Sequence, residues 1–479
     1  MIMDHLFDTL HIMIVLTLLI VAVGSAGHAL LRKSDPRSAL VWVVICLTLP
    51  LVGAVFYWSL GANRIHRRTL KWRQSGRRLG NGEIAHRTGI FAAKELPLQA
   101  RHLETLRNLS DRVAHGLLLG GNRISLLRNG EEAYPAMLAA IAGARESVHL
   151  SSYIFDNDRT GEAFAAQLRE AAGRGVAVRL LIDSLGELYS FPSGMRLFKG
   201  SGVRVGRFLP LVRGIYVNLR NHRKLMIIDG RMAFTGGMNI SDRHLVKSAS
   251  RPVVDLHFSV TGPVVADLQK SFLEDWYFTT GEFLDDPACF PELLPMGNST
   301  VRGIADGPDR EYRKLQWIII GALSCARERV QIMTPYLIPG RSLISALATA
   351  ALRGVDVTII LPRQNNLLFV HWANRAFLPE LLRFGIKIYY HPPPFVHTKL
   401  FLVDGVWGLI GSANLDPRSL RLNFELNLEL YDPDFCGELE AHFLEALTMS
   451  RRVLPGELSG RSLPEKLRDS GAKLFSPYL

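Results

Sequence analysis

Two stretches of this chain repeat one another in residue type and spacing, and that repetition limits the folds open to it. Arg220 to Asn239 reads RNHRKLMIIDGRMAFTGGMN and places His222, Lys224 and Asp229 as H-x-K-x(4)-D, followed by Gly236-Gly237-x-Asn239. The second copy places His397, Lys399 and Asp404, then Gly411-Ser412-x-Asn414. In each copy the Asn lies 17 residues after the His, and the copies are 175 residues apart. One such match arises by chance; two in register are very hard to obtain that way. The surroundings repeat as well. ESVHLSSYIFDND and EAFAAQLREAAGRGVAVRLLID read strand, helix, Gly turn, strand, and RERVQIMTPYLIPG with LISALATAALRGVDVTIILP has the same order. The junctions Arg174-Gly175-Val176 and Arg353-Gly354-Val355 are 179 residues apart, close to the motif offset. Alternating strands and helices predict an α/β sheet in each half of a tandem duplication.

Between Lys and Asp run Leu-Met-Ile-Ile in one copy and Leu-Phe-Leu-Val in the other, closed by Asp229-Gly230 or Asp404-Gly405. A short apolar run, partly β-branched and bounded by turn residues, predicts a buried strand. Residues two apart on a strand share a face, so His222 and Lys224 point to the same side. The next apolar run, MAFTGG or VWGLIGS, returns and ends near Gly and Asn. That suits a hairpin carrying His and Lys at one end with Asn nearby. A small Gly237 or Ser412 there lets a bulky anionic group approach the backbone.

The side chains then indicate the chemistry. Imidazole is both a nucleophile and an acid near neutral pH. Lys ammonium and Asn amide groups supply charge and donors for phosphate oxygens. Of two facing histidines, the neutral one attacks phosphorus while the protonated one delivers a proton to the leaving oxygen. The pair titrates as a coupled system. This chemistry requires no metal and no cofactor, and Lys is a poor metal ligand.

The duplicated H-x-K-x(4)-D with G-[GS]-x-N resembles the phospholipase D superfamily. RNHRKLMIIDGRMAFTGGMNI with the following DLHFSVTGPVVADLQKSFLEDW resembles, more closely, bacterial cardiolipin synthases of the membrane-anchored type, over nearly the whole chain. The resemblance implies two phospholipase D-like domains packed about a pseudo-twofold axis, with both motifs in one cleft. It implies His222, Lys224, Asp229, His397, Lys399 and Asp404 as catalytic residues, with Asp229 and Asp404 supporting the motif architecture. Asn239, Asn414, Gly237 and Ser412 would bind substrate, although Gly237 stands where many members carry Ser. Glu425 and Asp255, downstream of the two Asn residues, would orient the histidines by accepting a ring proton. Arg418 and Arg421 are candidates for a second anionic head group.

Leu10 to Leu31 and Ala39 to Leu60 are each 22 mostly apolar residues. Each would make a helix about 33 Å long, enough to cross a hydrocarbon core, with Pro50 kinking the second. The opening MIMDHLFD lacks the basic region of a signal peptide. After the second span, GANRIHRRTLKWRQSGRR holds seven Lys/Arg and no acid, which predicts that the rest of the chain stays cytoplasmic. The net charge of +12 fits nucleic acid or an anionic membrane. The two spans and the lack of an aromatic-basic module favour the membrane. Four scattered cysteines in no C-x-x-C pattern suggest reduced thiols.

The expected layout is a transmembrane hairpin over 1–60 and a basic linker over 61–115. The first phospholipase D-like domain over 116–280 then leads through a connector over 281–312 to the second over 313–455. A tail over 456–479, with basic and apolar residues at helical spacing, suits either a membrane surface or a disordered end. HPPPF, from His391 to Phe395, is expected to be a stiff loop. By resemblance, the chain is a multi-pass protein of the bacterial inner membrane. It would transfer a phosphatidyl group between two phosphatidylglycerol molecules through a phosphohistidine, with His222 as nucleophile and His397 as acid and base. Its partners would be anionic phospholipid and membrane, not nucleic acid. Rival readings are a lipid-hydrolysing phospholipase D, a transferase with another donor or alcohol, a nuclease of the same superfamily, and a scaffold without activity.

Overall fold

The computed structural model describes residues 2–33, 36–61, 92–93, 95–114, 116–210, 219–284, 286–307 and 313–476. The chain divides into two units, Met1–Trp72 with Leu211–Leu219, and Arg73–Pro210 with Arg220–Leu479. The basic run that follows Gly61 lies outside the described residues.

The smaller unit opens with α1 (Ile2–Arg32), whose apolar stretch is long enough to cross a membrane and is almost uncovered by protein. The second apolar segment is not one continuous helix. It divides into α2 (Pro36–Thr48) and α3 (Pro50–Phe56), followed by a π-helical turn at Tyr57–Gly61. The break falls at Pro50, which has no N–H to donate to the preceding turn. Ala26, Ala29, Trp42, Cys46 and Tyr57 pack together, and two contacts pin the helices: His28 Nδ1 to Tyr57 Oη at 2.7 Å and Trp58 Nε1 to Ser25 Oγ at 3.0 Å.

In the larger unit the first half contributes β1 (Leu119–Arg128), β2 (Ser147–Ser152), β3 (Ala177–Asp183), β4 (Arg204–Phe208), β5 (Leu225–Ile228), β6 (Met232–Gly236), β7 (Val253–Val254) and β8 (Leu256–Thr261). The second contributes β9 (Ser299–Asp306), β10 (Arg329–Met333), β11 (Asp356–Pro362), β12 (Lys387–His391), β13 (Phe395–Val396), β14 (Leu400–Val403), β15 (Trp407–Gly411), β16 (Glu425–Tyr431) and β17 (Arg451–Arg452). Fifteen strands form one sheet, and outward from the antiparallel β1–β9 seam both sides run alike. One side is β1-β8-β6-β5-β2-β3-β4 and the other β9-β16-β15-β14-β10-β11-β12, with β17 added at its edge. This is the tandem duplication expressed as strand order.

The motif strands are buried on both faces, which is why they read as unbroken apolar runs rather than alternating ones. Leu225 and Ile227 face helix Val265–Thr280, while Met226 and Ile228 face helices Asn129–Gly143 and Arg159–Gly173. Leu400 and Leu402 divide from Phe401 and Val403 in the same way. In the Arg-Gly-Val junctions, Gly175 and Gly354 take φ of +91° and +94°, a left-handed helix end that favours glycine.

Each motif Asp caps its strand. Asp229 takes φ of +52° in the turn closed by Arg231 N–H to Ile228 C=O at 2.9 Å, and Asp404 takes φ of +53°. Asp229 accepts backbone N–H groups from Arg145 (3.0 Å), Glu146 (2.8 Å) and Ser147 (2.9 Å), just ahead of β2. Asp404 accepts those of Arg327, Glu328 and Arg329 at 2.9–3.0 Å, just ahead of β10. His102 Nε2 lies a further 2.9 Å from Asp404 Oδ2. Each carboxylate therefore ties its hairpin to the neighbouring strand.

Three expectations need correction. The stretch read as a connector, 281–312, contains β9, a strand at the centre of the sheet. Its pattern is disguised because Arg302 is buried and ion-paired with Asp111 and, at 3.5 Å, with Glu429. The end of the expected linker, Leu98–Val113, is helical and packs Ala100, Leu103 and Leu106 into the second half's core. The expected stiff loop narrows to Pro392–Pro394, because His391 ends β12 and is buried and Phe395–Val396 pairs with Val253–Val254. The C-terminal segment forms helix Leu463–Leu474, as its helical spacing suggests, with Arg468 stacked over Trp372 at 4.8 Å.

Replacing Asp229 or Asp404 with Ala leaves three backbone N–H groups, two of them on exposed residues, without their carboxylate acceptor. The expected cost is about 1–2 kcal/mol of folding stability, read as a lowered thermal midpoint of the detergent-solubilised protein. An unchanged midpoint would refute the anchoring role.

Candidate active site

The sheet order brings both motif histidines to the junction of the halves. His222 lies just before β5, and its N–H donates to Phe424 C=O at 2.9 Å, next to the start of β16. His397 lies just before β14, and its N–H donates to Val254 C=O at 2.7 Å, next to the start of β8. Each histidine segment is thus held by the other half. The first junction is strengthened by Phe424 N–H donating to Arg220 C=O at 2.8 Å and by Arg223 Nε donating to Glu425 C=O at 3.2 Å.

The acids cross over too. His222 Nδ1 lies 3.1 Å from Glu425 Oε2 and 3.2 Å from Ser412 C=O, and His397 Nδ1 lies 2.7 Å from Asp255 Oδ2. A ring N–H donated from Nδ1 leaves Nε2 to do chemistry. Both carboxylates are fully buried. Burial pushes Glu425 up, but the charges of His222 and Lys224 and the bonds from His222 and Ser412 outweigh it and hold Glu425 below its ordinary range. Burial wins at Asp255, which is raised despite Lys399.

Gly237 and Ser412 complete these acid sites and do not face outward. Ser412 Oγ donates to Glu425 Oε2 at 2.5 Å and accepts Leu426 N–H at 3.0 Å. In the first half Asp255 Oδ1 itself accepts the equivalent Leu256 N–H at 2.9 Å, and a Cβ on Gly237 would collide with that carboxylate. Ser with Glu, and Gly with Asp, are two solutions to one space. Gly237 and Ser412, expected among the substrate-binding residues, are each packed against an acid in the structure.

Lys224 and Lys399 are buried beside the histidines, with Lys224 Nζ donating to His222 C=O at 2.7 Å and Lys399 Nζ donating to His397 C=O. Burial pulls Lys224 down to about 7 against the pull of Glu425, and Lys399 to about 8 against that of Asp255. Burial also lowers His222, and lowers His397 further because the Lys399 and Lys224 charges add to it. Asn239 Oδ1 accepts Ile154 N–H at 3.2 Å, which leaves its NH₂ as a donor, and Asn414 Oδ1 is buried without a hydrogen-bond partner among the described residues. Asp229 and Asp404 stand at the opposite ends of their strands, about 16 Å from the Lys end at ~3.3 Å per residue. They are anchors and not reacting groups.

Residues 137–276 and 319–447 match the family described as cardiolipin synthase, PLD-like domain. The chain belongs to this cardiolipin synthase family. Residues 14–61 match the phospholipase D-nuclease N-terminal family. The chain is 32% identical over 455 residues to the cardiolipin synthase of Geobacillus kaustophilus, covering 94% of this chain and 90% of that one. It is 30% identical over 477 residues to the cardiolipin synthase of Listeria monocytogenes, covering 98% and 99%. Among solved structures, the phosphatidylserine synthase of Haemophilus influenzae shares the fold at 16% identity and a TM-score of 0.62, covering 78% of this chain and all of that one.

Two tyrosines join the cardiolipin synthase motifs without a motif of their own to announce them. The Tyr153 ring lies 5.3 Å from His222, edge-on, with Lys224 Nζ 5.4 Å from its centre. The Tyr336 ring lies 6.2 Å from His397, again edge-on. Each follows the second strand of its half, in SSYIF and TPYLI, and that shared position is the signal that would have found them.

Gly237→Ser is expected to lower turnover by roughly 10²-fold by displacing Asp255, and Gly237→Ser with Asp255→Glu to recover most of it by rebuilding the Ser–Glu arrangement. Steady-state rates of the three variants check this, and a double variant no better than Gly237→Ser refutes it. Deprotonation of the lysines above about 7 to 8 removes charge from the empty site, so kcat/KM is expected to fall as pH rises through that range. A bound phosphodiester anion stabilises both ammonium groups, so the alkaline limb of kcat lies higher. Coincident limbs in a pH–rate profile would contradict this.

Proposed function

We propose that this chain is a cardiolipin synthase that joins two phosphatidylglycerol molecules. The observation that carries the reading is the crossed pairing of His222 with Glu425 and His397 with Asp255, which gives each of two histidines at one junction its own acid. His222 Nε2 attacks phosphorus of the first phosphatidylglycerol. The phosphorus bond to the glycerol head group breaks, and the leaving oxygen takes a proton from His397 Nε2. The result is phosphatidyl-His222 and free glycerol. The glycerol hydroxyl of a second phosphatidylglycerol then gives its proton to His397 and attacks phosphorus. Cardiolipin leaves and His222 is restored.

Glu425, held anionic, suits the histidine that becomes positively charged as it bonds to phosphorus, which supports His222 as the nucleophile. Lys224, Lys399 and the Asn239 amide hold the phosphate oxygens. A phosphodiester anion also raises both imidazole pKa values that burial lowers, so protonation of His397 is coupled to substrate entry. Buried lysines and acids mark a water-poor site, which favours a lipid hydroxyl over water in the second step. The α1 helix and the broken α2–α3 segment serve as a two-pass anchor in the bacterial inner membrane. By the positive-inside rule, the seven Lys/Arg of residues 61–78 support a cytoplasmic catalytic unit.

The test is purified protein in phosphatidylglycerol vesicles, with products resolved by mass spectrometry beside His222→Ala/His397→Ala. Cardiolipin and glycerol, absent from the variant, are expected. Phosphatidic acid without cardiolipin would make the chain a hydrolase.

A further inference from the structure

We propose that the mouth of this site carries two apolar lips, related by the internal duplication, that insert into the lipid interface and admit a phosphodiester from the bilayer. The inference rests on the lipid-substrate reading above. It starts from equivalent strands β3 and β11, which end at Asp183 and Pro362. Five and six residues beyond β3 come Leu188 and Tyr189, and five and six beyond β11 come Leu367 and Leu368. Phe191 extends the first group and Phe369 the second. All six are exposed, with Phe191 at 98%, Leu188 at 66% and Leu368 at 65% of full accessibility.

Single exposed apolar residues need no explanation, but clusters of them mark interaction surfaces. Here the clusters recur at the same place in both halves, although SLGELYSF and RQNNLLF otherwise share little. Each also stands one tyrosine away from a histidine. The Tyr189 ring lies 6.1 Å from that of Tyr153, which touches His222. Tyr336, beside His397, donates its hydroxyl to Asn366 Oδ1 at 2.8 Å, one residue before Leu367. The lips therefore flank the way in to both reacting groups.

Charge selects the occupant. Exposed Arg363 precedes the second lip, and exposed Arg196 and Lys199 follow the first. The one acid between residues 184 and 199 is Glu187, ion-paired to Arg207 at 3.0 Å. Apolar tips with a basic surround fit an anionic lipid surface. A lipid whose tails stay between such lips need not leave the bilayer for its phosphate to reach the histidines.

The experiment uses the full chain reconstituted in vesicles of phosphatidylglycerol and phosphatidylcholine. Leu188→Ser/Phe191→Ser and Leu367→Ser/Leu368→Ser change only exposed side chains. Each pair is expected to lower cardiolipin formation in vesicles by about tenfold or more, and by less than about twofold on short-chain phosphatidylglycerol kept monomeric in solution. In a Cys325→Ser background, a polarity-sensitive fluorophore on Phe191→Cys should shift to the blue and be quenched by bromine-labelled lipid tails. Equal losses on both substrates, unchanged vesicle activity, or a fluorophore that stays in water would each overturn the proposal. If the wild type forms no cardiolipin but the fluorophore still enters the lipid, the lips stand and the synthase reading fails.

Discussion

A charged side chain removed from water is tolerated only beside an opposite charge or a full set of hydrogen bonds, and this site buries four such groups within one junction. Glu425 and Asp255 are satisfied by histidines from the opposite half, and Lys224 and Lys399 by carbonyls and those same acids. Separating the halves would strand all of them. The β1–β9 seam and the paired segments before β5 and β14 keep that junction closed, while the Asp anchors fix each hairpin within its own half.

The cost of such burial falls on the empty enzyme. With no phosphate present, neighbouring positive charges repel one another, and imidazoles and ammonium groups are all shifted toward their neutral forms. An incoming anion relieves that repulsion, so charging the site and binding the lipid become one event. The two halves do not share the burden equally. Glu425 is served by Ser412, Asn423 and His222, whereas Asp255 takes one backbone N–H and His397 and remains the less easily ionised acid.

The parts that repeat were legible in the sequence. The H-x-K-x(4)-D copies, the apolar tetrads and the Arg-Gly-Val junctions fix two similar α/β halves, because short-range pattern and long-range duplication agree there. What lay hidden depended on partners far along the chain. Nothing local in STVRGIAD marks a central strand, since its Arg302 is neutralised by acids more than a hundred residues away. Glu425 and Asp255 could be suspected, but their exchange across the halves joins residues 203 and 142 apart, which spacing alone does not reveal. Gly237 looked like a defect in its motif until the carboxylate beside it was seen to need the room.

The palindromic strand order has a consequence for how this enzyme could have arisen. A site whose every histidine is completed by the other half would be complete in a symmetric pair of single-motif chains, but there both histidines would be identical by construction. Joining the copies in one polypeptide frees them to diverge. The Gly–Asp and Ser–Glu solutions are the visible trace of that freedom. Covalent fusion adds no atom to the site, yet it lets each acid and its small neighbour be tuned separately, as Ser412 beside Glu425 and Gly237 beside Asp255 show.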